Sequence, residues 1–167
     1  MDARPVLERV ARGIAGVGLE AVLIGNAAAA LRGAPVTTID LDFFFHRSPG
    51  TVGKLKRLAN RLNGTMIRPH YPVSGLYRIS VEEEGLQLDF MGVIHGAKSY
   101  YSVRSRANWF PIGDTGLWVA SLVDILKSKR AAGRPRDRAV LETLEKTLRA
   151  EEESKPKKGA GGATKRK

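Results

Sequence analysis

The chain has 167 residues, a net charge of +11 and no cysteine. It therefore has no thiol nucleophile, thiolate metal site or disulfide framework, and 43% hydrophobic with 27% charged residues excludes a wholly disordered chain. One ordinary domain of this length buries a core unaided, and 28 Lys and Arg against 17 Asp and Glu favour polyanionic partners: nucleic acid, nucleotides or an acidic membrane face.

In chain order, Pro5 to Val17 carries Val6, Leu7, Val10, Ile14 and Val17 at helical spacing. Ala21 to Ile24 reads as a short buried strand ending at Gly25. A short helix then runs from Asn26, a candidate N-cap, to Arg32, with Gly33 as its stop. Thr38 to Phe45 is a strand rich in β-branched and aromatic residues. Pro49 to Leu62 is amphipathic, with Val52, Leu55, Leu58 and Leu62 predicted inside. Leu76 to Val81 and Leu86 to Val93 form a hairpin around Glu83-Glu84-Gly85. Ser99 to Val103 and Trp109 to Ile112 are weaker strand candidates, and Trp109 and Trp118 read as core. Ser121 caps a helix to about Ala132, Gly133 and Pro135 break it, and Asp137 to Leu148 closes the domain as a helix. The mixture predicts an α/β or α+β domain over residues 1–150.

Residues 151–167 change character. They hold three acidic and six basic residues, three glycines and a proline, and no large apolar side chain. Such a segment predicts a disordered basic tail; most of the excess positive charge still belongs to residues 1–150. The most apolar stretch, Ala21 to Leu31, is too short to span a bilayer. With no signal-peptide core near the N-terminus, a cytoplasmic protein without membrane contact is expected.

Thr38-Ile39-Asp40-Leu41-Asp42-Phe43 holds the sharpest chemical signal. Alternation along a strand puts Asp40 and Asp42 on one face, about 7 Å apart. Like charges at that range repel unless a cation lies between them, and Mg²⁺ takes carboxylates together with substrate phosphates. A solvated D-x-D at a strand end is the competing reading. Asp89, in Leu88-Asp89-Phe90, is an acid amid apolar neighbours and is costly to bury without a partner; an edge strand would explain it as well. Three carboxylates on two strands suit in-line phosphoryl transfer with two ions. Gly25-Asn26, between a strand and a helix, is a weak candidate for holding phosphate. Lys127 to Arg138 carries six cations in twelve residues. Lys129 lies at the edge of the stripe Leu122, Ile125 and Leu126, where it can reach a cleft; a solvated helix end is the alternative. His46, His70 and His95 lack metal-ligand spacing, and Ser74 and Ser80 lack a nucleophile context.

Taken in order, Gly25-Asn26, Thr38-Ile39-Asp40-Leu41-Asp42, Leu88-Asp89-Phe90 and the segment Ser128 to Asp137 resemble the minimal nucleotidyltransferases of the DNA polymerase β superfamily. The resemblance covers residues 20–148 and is closest to the AbiEii-like branch, toxins of bacterial toxin–antitoxin pairs. It implies a mixed sheet with flanking helices and a helical C-terminal portion. It further implies that Asp40, Asp42 and Asp89 hold two Mg²⁺ ions, with Asp89 orienting an attacking hydroxyl. Gly25, Asn26 and Lys129 would contact the triphosphate, assisted by Arg134 and Asp137. The implied partners are a nucleoside triphosphate, RNA (the tRNA 3′ end foremost) or a protein hydroxyl, and an antitoxin protein. Asn26 departs from the Gly or Ser usual at that position, which favours the alternative, a non-catalytic RNA-binding or regulatory relative; the three intact aspartates favour the enzyme.

Overall fold

The computed structural model describes residues 4–69 and 75–156. In chain order the elements are α1 (Arg4–Val17), β1 (Ala21–Ile24), α2 (Gly25–Leu31), β2 (Asp40–Phe45), α3 (Thr51–Arg61), β3 (Thr65–Ile67), β4 (Leu76–Val81) and β5 (Leu86–Met91). They continue with α4 (Tyr100–Arg104), β6 (Asn108–Ile112), β7 (Thr115–Val119), α5 (Leu122–Ala132) and α6 (Pro135–Ser154). The strands form one mixed sheet in the order β3-β4-β5-β2-β1-β7-β6. β2 runs parallel to β5 and β1 parallel to β7; the remaining pairs are antiparallel.

Alternation on the central strands sorts apolar from acidic side chains. Leu41, Phe43, Leu88, Phe90 and Ile79 are buried on one face, where α1 and α3 contribute Val10, Ile14, Leu55 and Leu58 to the same core. Phe43 and Phe90, partners across β2 and β5, stack with centroids 5.0 Å apart and planes 10° from parallel. Near the other face, α2 lies close to β1 and β2 because Ala27, Ala28 and Ala29, all buried, are small.

Several sequence expectations need correction. Ser99–Val103 is not a strand: the Ser99 hydroxyl accepts from the Ser102 N–H, the Ser102 hydroxyl accepts from the Ser99 N–H, and this capping box starts helix α4. Val52 is 41% exposed, since α3 buries Leu55, Leu58 and Ala59 instead. Trp109 is 48% exposed on edge strand β6, packed edge-on against Trp118 at 5.3 Å. Asn26 does not cap α2, because the helix starts one residue earlier and Ile24 holds the cap position. Strands β3 and β7 have no counterpart among the sequence expectations, and β5 stops at Met91.

The last helix reaches Ser154, past the boundary expected at residue 150. The reason is Arg32, whose side chain is 5% exposed: it donates to the carbonyls of Ala120 and Val119, to Asn108 and to Glu151. Glu151 thus ties the final turn of α6 to α2. His70, Ser74 and residues 157–167 lie outside the described residues.

Candidate active site

One row of register partners crosses the middle of the sheet: Arg78 on β4, Asp89 on β5, Asp42 on β2 and Ile24 on β1. Partners in a ladder point to the same face, so Arg78, Asp89 and Asp42 share one. Asp40 and its partner Gln87 lie two residues away on that face. The juxtaposition of the three aspartates expected from sequence is therefore built by the parallel pairing of β2 with β5.

Asp42 is the most perturbed acid of the group. Burial, then the charges of Asp89 and Asp40, push its pKa up to about 6, against the opposing pull of Lys129 and Arg136. Gly25 stands beside it with φ +68°, and a Cβ there would lie 2.5 Å from Asp42 Oδ2. The glycine is required twice over, by its left-handed backbone and by the carboxylate against it. Asn26 comes next, in the first turn of α2, and its buried Oδ1 has no hydrogen-bond partner.

Asp89 is committed to a cation already. Arg78 Nε donates to its Oδ1 at 2.7 Å and Nη2 to its Oδ2 at 2.9 Å, a two-pronged fork across the antiparallel ladder. The Gln87 amide lies against the same pair, and turned with its oxygen towards Arg78 it accepts from Nε and Nη2 at 3.3 and 3.2 Å. Sequence reasoning missed Arg78, although counting outward from the connection Glu82–Gly85 pairs it with Asp89.

The cationic segment resolves into a buried clamp. Asp137, 2% exposed in the first turn of α6, accepts from Lys129 Nζ at 3.3 Å and from Arg134 Nε at 2.6 Å. Burial works to raise its pKa, but the Arg134 hydrogen bond and the Lys129 charge outweigh it, and the net shift is downward. Lys129, at the buried edge of α5, is held where its charge acts on Asp42. Arg134 and Asp137 accordingly position Lys129. Arg136, one of the six cations of Lys127 to Arg138 but not among the expected site residues, also stabilises the ionised form of Asp42. His46 pairs with Glu20 at 3.2 Å and packs against Tyr100 and Tyr101, away from these acids in the sheet register.

Among the described residues no group of three or more histidines, aspartates or glutamates is arranged to hold a metal ion. The donor set nevertheless suits a hard divalent cation: Asp40 and Asp42 offer only oxygens, and the repulsion felt by Asp42 is what a cation relieves. Asp89 departs from that arrangement through its pairing with Arg78.

The sheet order, parallel β2–β5 pairing and flanking helices define a nucleotidyltransferase-type mixed α/β fold. The chain is similar to ANT(2″)-Ia, solved in complex with adenylyl-2″-tobramycin, at TM-score 0.60 and 15% identity over 89% of this chain and 90% of that one. It is similar to an antigenic nucleotidyltransferase-like protein from Paracoccidioides brasiliensis at TM-score 0.57 and 15% identity, covering 88% and 75%. Lincomycin-bound LnuA, a lincosamide antibiotic adenylyltransferase, gives TM-score 0.57 at 12% identity over 80% and 90%. No family model and no curated protein matches the sequence. Among the described residues no helix is long and apolar enough to cross a membrane.

Proposed function

We propose that this protein is a Mg²⁺-dependent nucleotidyltransferase that moves a nucleoside monophosphate from a nucleoside triphosphate to a hydroxyl. The observation that carries the reading is the shared face of Asp40, Asp42 and Asp89, with Asp42 half-buried and repelled by both neighbours. The acceptor is RNA, the tRNA 3′ end foremost, or a protein hydroxyl. The net charge of +11 favours the former. We place the chain with the AbiEii-like toxins, a cytoplasmic role that comes with an antitoxin partner.

Mg²⁺, two ions with the nucleotide in place, would be held by Asp40, Asp42 and Asp89 and would supply charge neutralisation along the triphosphate. The chain's own groups do the rest. Gly25 keeps the space beside Asp42 free of a side chain, and Asn26 opens the adjoining turn towards the phosphates. Lys129, fixed by Asp137 and Arg134, lays a positive charge beside the acids. Asp89 orients the acceptor hydroxyl for attack on the α-phosphorus, in line with departing pyrophosphate. Catalysis of this kind is positioning and electrostatics.

The test is incubation with each labelled nucleoside triphosphate, Mg²⁺ and total RNA, comparing wild type with Asp42→Asn. Label should enter RNA or the protein fraction with wild type and fall by on the order of 100-fold or more in the variant. Equal labelling by the two proteins overturns the assignment. RNA binding without any labelling supports the non-catalytic alternative, which the departure at Asn26 favours.

A further inference from the structure

The geometry around Asp89 points to a resident cation. We propose that Arg78 takes the place of a divalent ion at the third carboxylate, so that the nucleotide-free protein binds one divalent ion, on Asp40 and Asp42, without using Asp89. The inference rests on reading the site as metal-dependent, and goes beyond it in assigning Arg78 and the ion count of the free protein.

Both oxygens of Asp89 are engaged by the guanidinium, at 2.7 and 2.9 Å, so a metal ligated there would sit beside a fixed positive charge. The fork is no chance encounter of surface chains: Arg78 and Asp89 are register partners, and their side chains are 33% and 13% exposed. The Gln87 amide lies beside the same Nε and Nη2 edge. Arginine does not deprotonate in proteins, so this cation is permanent and cannot leave as a neutral group. Charge balance agrees: one guanidinium with one divalent ion neutralises three carboxylates, whereas a second ion would leave the empty site strongly positive. A triphosphate reverses that surplus, so a second ion becomes favourable only alongside nucleotide. Lys129 and Arg136 add to that surplus, since both act on Asp42 while Asp137 is shared between Lys129 and Arg134.

Mn²⁺ binding to the nucleotide-free protein, monitored by electron paramagnetic resonance and calorimetry, tests the proposal without reference to turnover. Wild type should take one Mn²⁺. Asp42→Asn should lose it, while Asp89→Asn should keep it, weakened by less than about tenfold through the unpaired charge of Arg78, since Asp89 is not a ligand in this state. Arg78→Met should bind Mn²⁺ roughly tenfold more tightly or take a second ion, since it frees a carboxylate. If Asp89→Asn weakens Mn²⁺ as much as Asp42→Asn does, or Arg78→Met matches wild type, the proposal is overturned while the metal-dependent function stands. If Arg78→Met does not fold by circular dichroism, Asp89→Asn decides alone. Wild type that takes no Mn²⁺ without nucleotide overturns the proposal and leaves the metal-dependent function to the labelling experiment.

Discussion

The hydrogen of Gly25 faces the carboxylate of Asp42 so closely that a methyl group in its place would lie 2.5 Å from Oδ2. Ile24, the residue before the glycine, is Asp42's ladder partner, so strand pairing itself enforces the approach. Gly25→Ala should cost about 1 to 3 kcal/mol through the left-handed backbone, and it should also displace the carboxylate. Thermal unfolding and transfer rate measured together check this. A folded variant is expected to lose on the order of 100-fold in rate, and full activity would show that Asp42 tolerates displacement.

Lys129 is expected to act at the phosphate end of a nucleotide. Lys129→Ala should weaken binding of a nucleoside triphosphate more than that of the nucleoside, by roughly tenfold for the loss of one charge near the surface of a cleft. Calorimetry with both ligands gives the comparison. Equal weakening would assign Lys129 to packing between α5 and α6.

Asp137 makes a stability prediction with a definite sign. Its pKa is held below the ordinary carboxylate range, so the folded state favours the ionised form more than the unfolded chain does. Its contribution is therefore present above the unfolded pKa of about 4 and is lost as pH falls through the lower folded value. Asp137→Asn should be destabilised by about 1 to 3 kcal/mol at neutral pH, with the gap to wild type narrowing below about pH 4. Denaturant melts at pH 7 and pH 3 measure both ends.

Truncation at two points separates the last turn of α6 from the C-terminal basic segment. Removing residues 157–167 should leave thermal stability unchanged and weaken binding to long RNA, with a shallower salt dependence. Removing residues 151–167 should in addition destabilise the fold by about 1 to 3 kcal/mol, because Arg32 loses its charged partner at Glu151. Equal stability of the two truncations would show that Glu151 adds nothing to the other acceptors of Arg32.

Local pattern reveals the strands and helices that carry strong periodicity, and alternation alone puts Asp40 and Asp42 on one face. It also places Ser121 and Gly133 at the ends of α5, where the structure has them. The features that escape it are decided by contacts between distant segments or by a competing local bond. Ser99 to Val103 has strand-forming residues, but a capping box overrides their propensity. Glu151 looks like the start of a tail until Arg32, far away in sequence, is known to need an anion. Arg78 and Arg136 look like ordinary surface cations, and only sheet register and the docking of α6 bring their charges to the acids.

Phe43 and Phe90 each come directly after an aspartate, Asp42 and Asp89, and their stacked rings tether β2 to β5 on the side of the sheet opposite those acids. The dry face is thereby a ruler for the wet one, since the thickness of two rings helps fix the gap between two carboxylates. A shape change there, even one that keeps the same hydrophobicity, shifts the ruler. Such a lesion would surface first as altered ion selectivity or a slowed reaction, in a protein whose melting curve looks sound. A search for inactivating substitutions should accordingly find them in residues that never meet water.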